Sequence, residues 1–359
     1  MQRRDYVRAC LGAGAVGLAG CSDLIQTREV SSTPPILEDR PDRVYYPTHV
    51  DGMSMVDMAK TDDGEYAFGL MYTYPHRFWR VDATTTSAEE ANLHDVDGSN
   101  DIHLMAVVWD PQTGRVLPDT GMSVDIARDG EPLDEQVIYP MLSARMGFHY
   151  GANFKLDGEG TYDVTMSVGG TNVRRTGEYV GRFSDPGSVT VPFEFTTEKR
   201  DELGIERAGD RAGEAAVPSV MEMNHPLGVA PSPDSLPGTY HGTTESDEAK
   251  LVVVSLSERP EGVDGDGSYL AVLARTPYNE LVLPGMALDA TIERGGETVF
   301  DGALERTFDD SLDYHYGAAV DDVREGDELT LEVVTHPQVA RHEGYETAFL
   351  QMPNAELTL

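Results

Sequence analysis

Residues 148–152 read Phe148-His149-Tyr150-Gly151-Ala152, and residues 314–318 read Tyr314-His315-Tyr316-Gly317-Ala318. The likeness extends upstream in both halves. Ala106-Val107-Val108 is followed by Val116-Leu117-Pro118, Gly121-Met122 and Asp125, and Ala271-Val272-Leu273 by Val282-Leu283-Pro284, Gly285-Met286 and Asp289. Order and spacing both hold, so the chain reads as an internal duplication. On this alignment Ser268 stands where the first half has His103, while His315 answers to His149.

The repeated segments carry strand signals. Short runs at residues 66–72, 103–109, 123–126 and 162–168, then 251–256, 269–274, 288–292 and 329–334, are bounded by Gly, Pro, Asp or Asn. Asp129-Gly130 and Gly295-Gly296 fall between strands as two-residue hairpin turns. One helix is expected, around residues 198–214, where charge is dense and apolar residues few. The fold class is all-β, with two immunoglobulin- or cupredoxin-like β-sandwiches in tandem at residues 45–197 and 239–359. Residues 198–238, rich in Pro and Ser toward their end, form the linker.

The N-terminal residues 1–20 read as a twin-arginine signal peptide of the lipoprotein type. Arg3 and Arg4 precede a weakly apolar run of twelve residues, 9–20, which ends at Leu18-Ala19-Gly20-Cys21. The run is too short to span a bilayer, which takes about 20 apolar residues. Cys21 is therefore the expected lipidation site, and residues 21–44, with Pro34-Pro35, the expected tether. This places the working domains on the extracellular face of the cell membrane. A single acyl-bearing cysteine anchors weakly, so a protein partner is expected to help hold the chain there.

With 63 acidic and 27 basic residues, the formal charge is −36. Coulomb repulsion opposes nucleic acid as a partner. The acids are spread along the chain without a calcium-loop motif, as on the surface of a protein from a salt-adapted cell. The only cysteines are Cys10 and Cys21, and both are consumed by processing on this reading. Disulfides, blue-copper thiolate sites and Cys-ligated zinc or iron–sulfur centres are thereby excluded. No G-x-S-x-G, H-E-x-x-H, P-loop or dinucleotide motif occurs, so the chain is not expected to be an enzyme.

Imidazole, thioether and carboxylate remain, and this donor set suits copper and, less selectively, other first-row metals. His103 opens a strand in Asp101-Ile102-His103-Leu104, His149 sits between glycines, His76 follows a strand, and His94 lies in a polar loop. Met221-Glu222-Met223-Asn224-His225 in the linker reads as a solvated segment, with a copper ligand set as the alternative.

Asp101-Ile102-His103-Leu104, Pro140-Met141, His149-Tyr150-Gly151-Ala152-Asn153 and Gly160-Thr161-Tyr162-Asp163-Val164 resemble the periplasmic Fe2+-transport protein family over about residues 64–195. The resemblance implies a metal-binding β-sandwich working beside an iron permease. It also implies that His103 and His149 are ligands of a copper or iron ion, with methionine and carboxylate partners. Met141, His76, His94, His49 and the methionines near the start, Met53, Met55, Met58 and Met71, are the candidates for the remaining positions. Where the family has a further His and acids after Asp101-Ile102-His103-Leu104, this chain has Met105-Ala106-Val107-Val108-Trp109. The second repeat is expected to be a structural or docking copy, and the reading leaves room for a homodimer. The function expected is metal delivery in ferrous-iron uptake, and the alternative is an adhesive or scaffold lipoprotein without metal.

Overall fold

Two hairpin turns set the pairing. Asp129 and Gly130 have φ of 52° and 81°, and Gly295 and Gly296 have φ of 59° and 84°. Positive φ at both central positions is the type I′ geometry, whose twist matches that of paired strands. Each turn joins equivalent strands, Ser123–Arg128 to Glu131–Val137 and Ala287–Arg294 to Glu297–Asp309.

The computed structural model describes residues 34–359. Two sheets face each other in the first repeat. The smaller runs in the order Gly187–Phe195, Gly160–Val168, Ser123–Arg128, Glu131–Val137. Its strands alternate buried and exposed residues, as expected where one face meets a core and the other water. The larger sheet runs Ser54–Lys60, Ala67–Thr73, Ile102–Trp109, Gly147–Phe154, Tyr139–Ser143, then Ala340–Arg341, Phe78–Arg80 and Asn92–His94. Its central strands Ala67–Thr73, Ile102–Trp109 and Gly147–Phe154 are buried along their whole length. Strand alternation sends Ile102, Leu104, Ala106, Phe148, Tyr150 and Ala152 to one face, and His103, Met105, His149 and Gly151 to the other. A second cover is needed over that other face, and the rest of the chain provides it.

In the second repeat the thirteen-residue strand Glu297–Asp309 does the work of two. Its first part pairs with Ala287–Arg294 and its last part with Asp313–Val320, so one strand crosses between sheets and curls the repeat toward a barrel. In the first repeat the same path is split into Glu131–Val137 and Tyr139–Ser143.

The two repeats exchange strands. Arg174–Thr176, from the first, pairs in parallel with Glu297–Asp309 of the second. Ala340–Arg341, from the second, pairs in parallel with Tyr139–Ser143 of the first. Each exchanged strand follows an equivalent core strand, Gly160–Val168 or Glu328–Thr335, so the exchange is reciprocal. Residues 34–359 accordingly belong to one compact unit. Arg341 anchors the donated strand. Its buried guanidinium donates to the carbonyls of Pro337, Ala348 and Phe349, closing the loop that carries residues 340–342.

Three expectations change. In the stretch expected as a helix only Thr197–Asp201 is α-helical, Gly209–Arg211 makes a single 3-10 turn, and Ile205–Arg207 instead forms a strand against His49–Asp51. Gly204, at φ 73°, ends the helical path, and a segment with so few apolar residues has no face to bury as a longer helix. Of the expected tether, residues 34–44 lie on the body: Arg77 donates to the Pro34 carbonyl at 2.6 Å, and Arg40 pairs with Glu346 at 3.3 Å. The linker is not solvated at His225, which is 4% exposed. The signal segment and Cys21 lie outside the described residues. Among the described residues no helix is long and apolar enough to cross a membrane.

Candidate metal centre

His103 and His149 sit on neighbouring antiparallel strands of the larger sheet, facing the same side. The register sets His103 opposite Asn153, Met105 opposite Gly151, and His149 opposite Met141. The side-chain amide of Asn153 donates to the His76 carbonyl at 2.9 Å, which turns its oxygen toward His103 Nδ1, 2.8 Å away. Nδ1 of His103 therefore carries the proton and Nε2 presents a lone pair. His149 is set the same way, with Nδ1 donating to the Gly147 carbonyl at 3.0 Å.

Two further imidazoles complete the cluster. His76, delivered by the loop before Phe78–Arg80, stacks on His103 with ring centres 4.0 Å apart. His342, at the end of the strand donated by the second repeat, lies 4.7 Å from the His76 ring and 5.3 Å from that of His149. Ligand nitrogens of His76, His103 and His342 all lie within 4.8 Å of one another. The expected pair is thus bridged by a histidine from the other half of the chain.

Nε2 of His103, His149 and His342 and both ring nitrogens of His76 are buried without a hydrogen-bond partner. Leaving one such group unsatisfied costs roughly 1–3 kcal/mol, so five unpartnered nitrogens in one place form a group that a bound cation would satisfy. Burial is the main reason these histidines stay neutral. It holds His103 down to about 3 and His149 to about 4, and His76 and His342 well below the ordinary range. Neutral imidazole is the ligand form, so protons compete weakly here.

Met141 is fully buried, and its sulfur points to the same spot as His103 Nε2. A Cβ on Gly151 would stand 2.6 Å from that nitrogen and 3.1 Å from Met141 Sδ. Glycine is required there because the donors fill the space. The Gly151→Ala variant is expected to displace His103 and weaken metal binding at least about tenfold, with a stability cost of about 1–3 kcal/mol. Isothermal titration beside chemical denaturation checks this, and unchanged affinity would refute the cradle. His94 does not join the cluster; it stacks on Phe78, 4.6 Å between ring centres. His49 lies in a carboxylate group beside it, with Nδ1 3.5 Å from Glu343 and Nε2 3.8 Å from Asp51. His76 Nδ1 is 3.6 Å from the other oxygen of Asp51, so oxygen donors adjoin the imidazoles. A cavity of about 100 Å³, lined by Asp51, Met53, Met105, His149, His342 and Glu343 among others, gives this group room for an ion and water.

The second repeat keeps the scaffold and loses the site. Gly317 faces Ala271 as Gly151 faces Met105, so the residue in the place of His103 is Tyr269, not Ser268. Sequence alignment slipped by one position because the Ala-Val patterns match in either frame. Tyr269 donates to His315 Nε2 at 2.9 Å, while His315 Nδ1 donates to the Asp313 carbonyl. Arg174, brought by the exchanged strand, donates to the Tyr269 hydroxyl at 2.8 Å, to the Gly317 carbonyl at 2.6 Å and to Thr307 at 3.1 Å. A phenol here stands in the place of His103 with a fixed guanidinium beside it, and both nitrogens of His315 are satisfied.

Residues 59–196 match the family described as Fe2+ transport protein. The first repeat resembles the periplasmic Fe2+-transport proteins. The match supports a role in Fe2+ transport and metal handling for this repeat. Residues 234–358 match a domain of unknown function, DUF7350. Among solved structures, a copper-bound single-residue variant of FetP from uropathogenic Escherichia coli strain F11 aligns at 21% identity and a TM-score of 0.30, covering 41% of this chain and 97% of that one. The as-isolated FetP of the same strain aligns at 21% identity and a TM-score of 0.29, covering 41% and 96%. No curated relative matches the chain. His342 lies outside the iron-transport match, and only the strand exchange brings it to the centre.

Proposed function

We propose that this protein is a cell-surface metal-binding lipoprotein that holds a copper or ferrous ion and passes it to a membrane iron permease. The observation that carries the reading is the convergence of the ligand nitrogens of buried His76, His103 and His342 within 4.8 Å of one another, with the His149 ring 5.3 Å from that of His342. Imidazoles with the Met141 thioether favour copper, and Asp51 and Glu343 at the cavity supply oxygen donors that suit a harder ion such as Fe2+. A lipid on Cys21 would keep this store beside the permease, with export by the twin-arginine route before it. His76, His103 and His342 come together within one chain, so this part of the site forms without a second copy.

The test is metal content. The chain lacking its first 26 residues, loaded separately with copper and ferrous iron under anaerobic conditions, is expected to retain a stoichiometric ion at the histidine cluster. The double variant His103→Ala with His149→Ala is expected to lose it. His315→Ala is expected to leave content unchanged, since that histidine is engaged by Tyr269. Equal metal content in the double variant and the parent would end the proposal.

A further inference from the structure

The segment joining the repeats carries a histidine that the centre above does not use. His225 is 4% exposed, and its Nδ1 donates to the carbonyl of Pro226 at 2.7 Å. That bond takes the one proton of a neutral ring. Its other nitrogen, Nε2, lies 3.1 Å from the sulfur of Met71, which is fully buried and has no proton to offer. Two lone-pair donors therefore face each other in the interior. A protonated His225 would ease the contact, but burial disfavours that form.

The third wall is aromatic. Trp109 stacks on His225, with ring centres 6.1 Å apart and planes 27° apart. Both rings rest over Gly69, where a Cβ would meet Trp109 Cζ3 at 3.4 Å and His225 Cδ2 at 3.7 Å. An ion bonded to nitrogen at about 2.0 Å and to sulfur at about 2.3 Å spans donors at this separation with little movement. Thioether and imidazole select Cu(I), and an indole face attracts a cation.

We propose that His225, Met71 and Trp109 form a second metal site, for a soft monovalent cation of the Cu(I) class. It is separate from the four-histidine centre and does not depend on it. The two are neighbours, however. Met71 is the register partner of Met105, and Met105 lines the cavity shared by His149 and His342. A thioether path thus leads from the linker site to the main centre, which suits transfer of one soft ion between them.

Silver(I), a redox-silent stand-in for Cu(I), tests this on the whole chain. Met71→Leu keeps volume and apolar character, so the fold is expected to survive. Parent protein and the His103→Ala/His149→Ala variant are both expected to bind a silver ion that quenches Trp109 emission. Met71→Leu and His225→Gln are expected to weaken that ion at least tenfold and to abolish the quenching. The proposal is overturned if Met71→Leu binds silver as tightly and in the same number as the parent. It is overturned equally if the His103→Ala/His149→Ala variant binds none. Should His225→Gln fail to fold, the Met71→Leu comparison decides alone.

Discussion

Replacing His342 by alanine is expected to lower the metal affinity of the centre by at least about 100-fold, though the residue lies in the second repeat. Changes to groups that merely orient a ligand already cost 10- to 100-fold, so removal of a central ligand costs at least the upper figure. His342 is the ring that links His149 to the His76–His103 stack. Without it, no imidazole joins His149 to the His76–His103 stack, and the Met141 thioether is a weaker donor than the ring that is lost. Competition with a chromophoric chelator measures the change. Full affinity in His342→Ala would show that the first repeat binds metal unaided, and that the exchanged strand has only a structural role.

The second large effect is acid lability of the metal-free protein. An unfolded histidine titrates near 6.5, whereas burial holds folded His103 near 3 and His149 near 4. Between those values the unfolded chain binds protons that the folded one refuses. Stability is therefore full above about pH 6.5 and falls as pH drops toward 4, by about 1.4 kcal/mol per pH unit for each such histidine. His76 and His342, also held well below the ordinary range, add to the slope in the same direction. Protonation of the many carboxylates relieves repulsion over part of the same range. The comparison is thus with a His76→Gln/His103→Gln/His149→Gln/His342→Gln variant, by denaturant titration from pH 7 to 4.5. Parallel slopes in parent and variant would exclude the histidines as the cause. Bound metal is expected to raise the parent's whole curve by a near-constant amount and leave its slope unchanged, since a ligand that binds only the folded state, in which these histidines are already neutral, adds the same stabilisation at each pH.

How much of this was legible in the sequence depended on the range over which each signal acts. Alternation, turn glycines and the duplicated His-Tyr-Gly-Ala element are local, and they gave the all-β class and strand positions within one or two residues. His103 and His149 were visible because a histidine at a strand start and another between glycines break the apolar pattern. Met141 entered only through the resemblance of Pro140-Met141 to the Fe2+-transport family pattern. His342 sends no local signal: Arg341-His342-Glu343 resembles any polar loop until Ala340–Arg341 is seen to pair with Met141 and Leu142. The Ser268 alignment failed for a related reason, because repeated small apolar residues fit two frames and only hydrogen-bond register separates them.

The opening pair of His-Tyr-Gly-Ala elements thus had two meanings. By itself the sequence determined that the chain folds as a duplicated β structure and that each copy places a histidine beside a glycine, because turn chemistry and side-chain alternation act over a few residues. Only the tertiary structure decided that one copy gathers unpartnered histidines into a candidate metal centre and the other closes into a polar lock. Reciprocal strand exchange sends His342 into the first site and Arg174 into the second, and long-range backbone pairing of that kind leaves no periodic trace in the residues that make it.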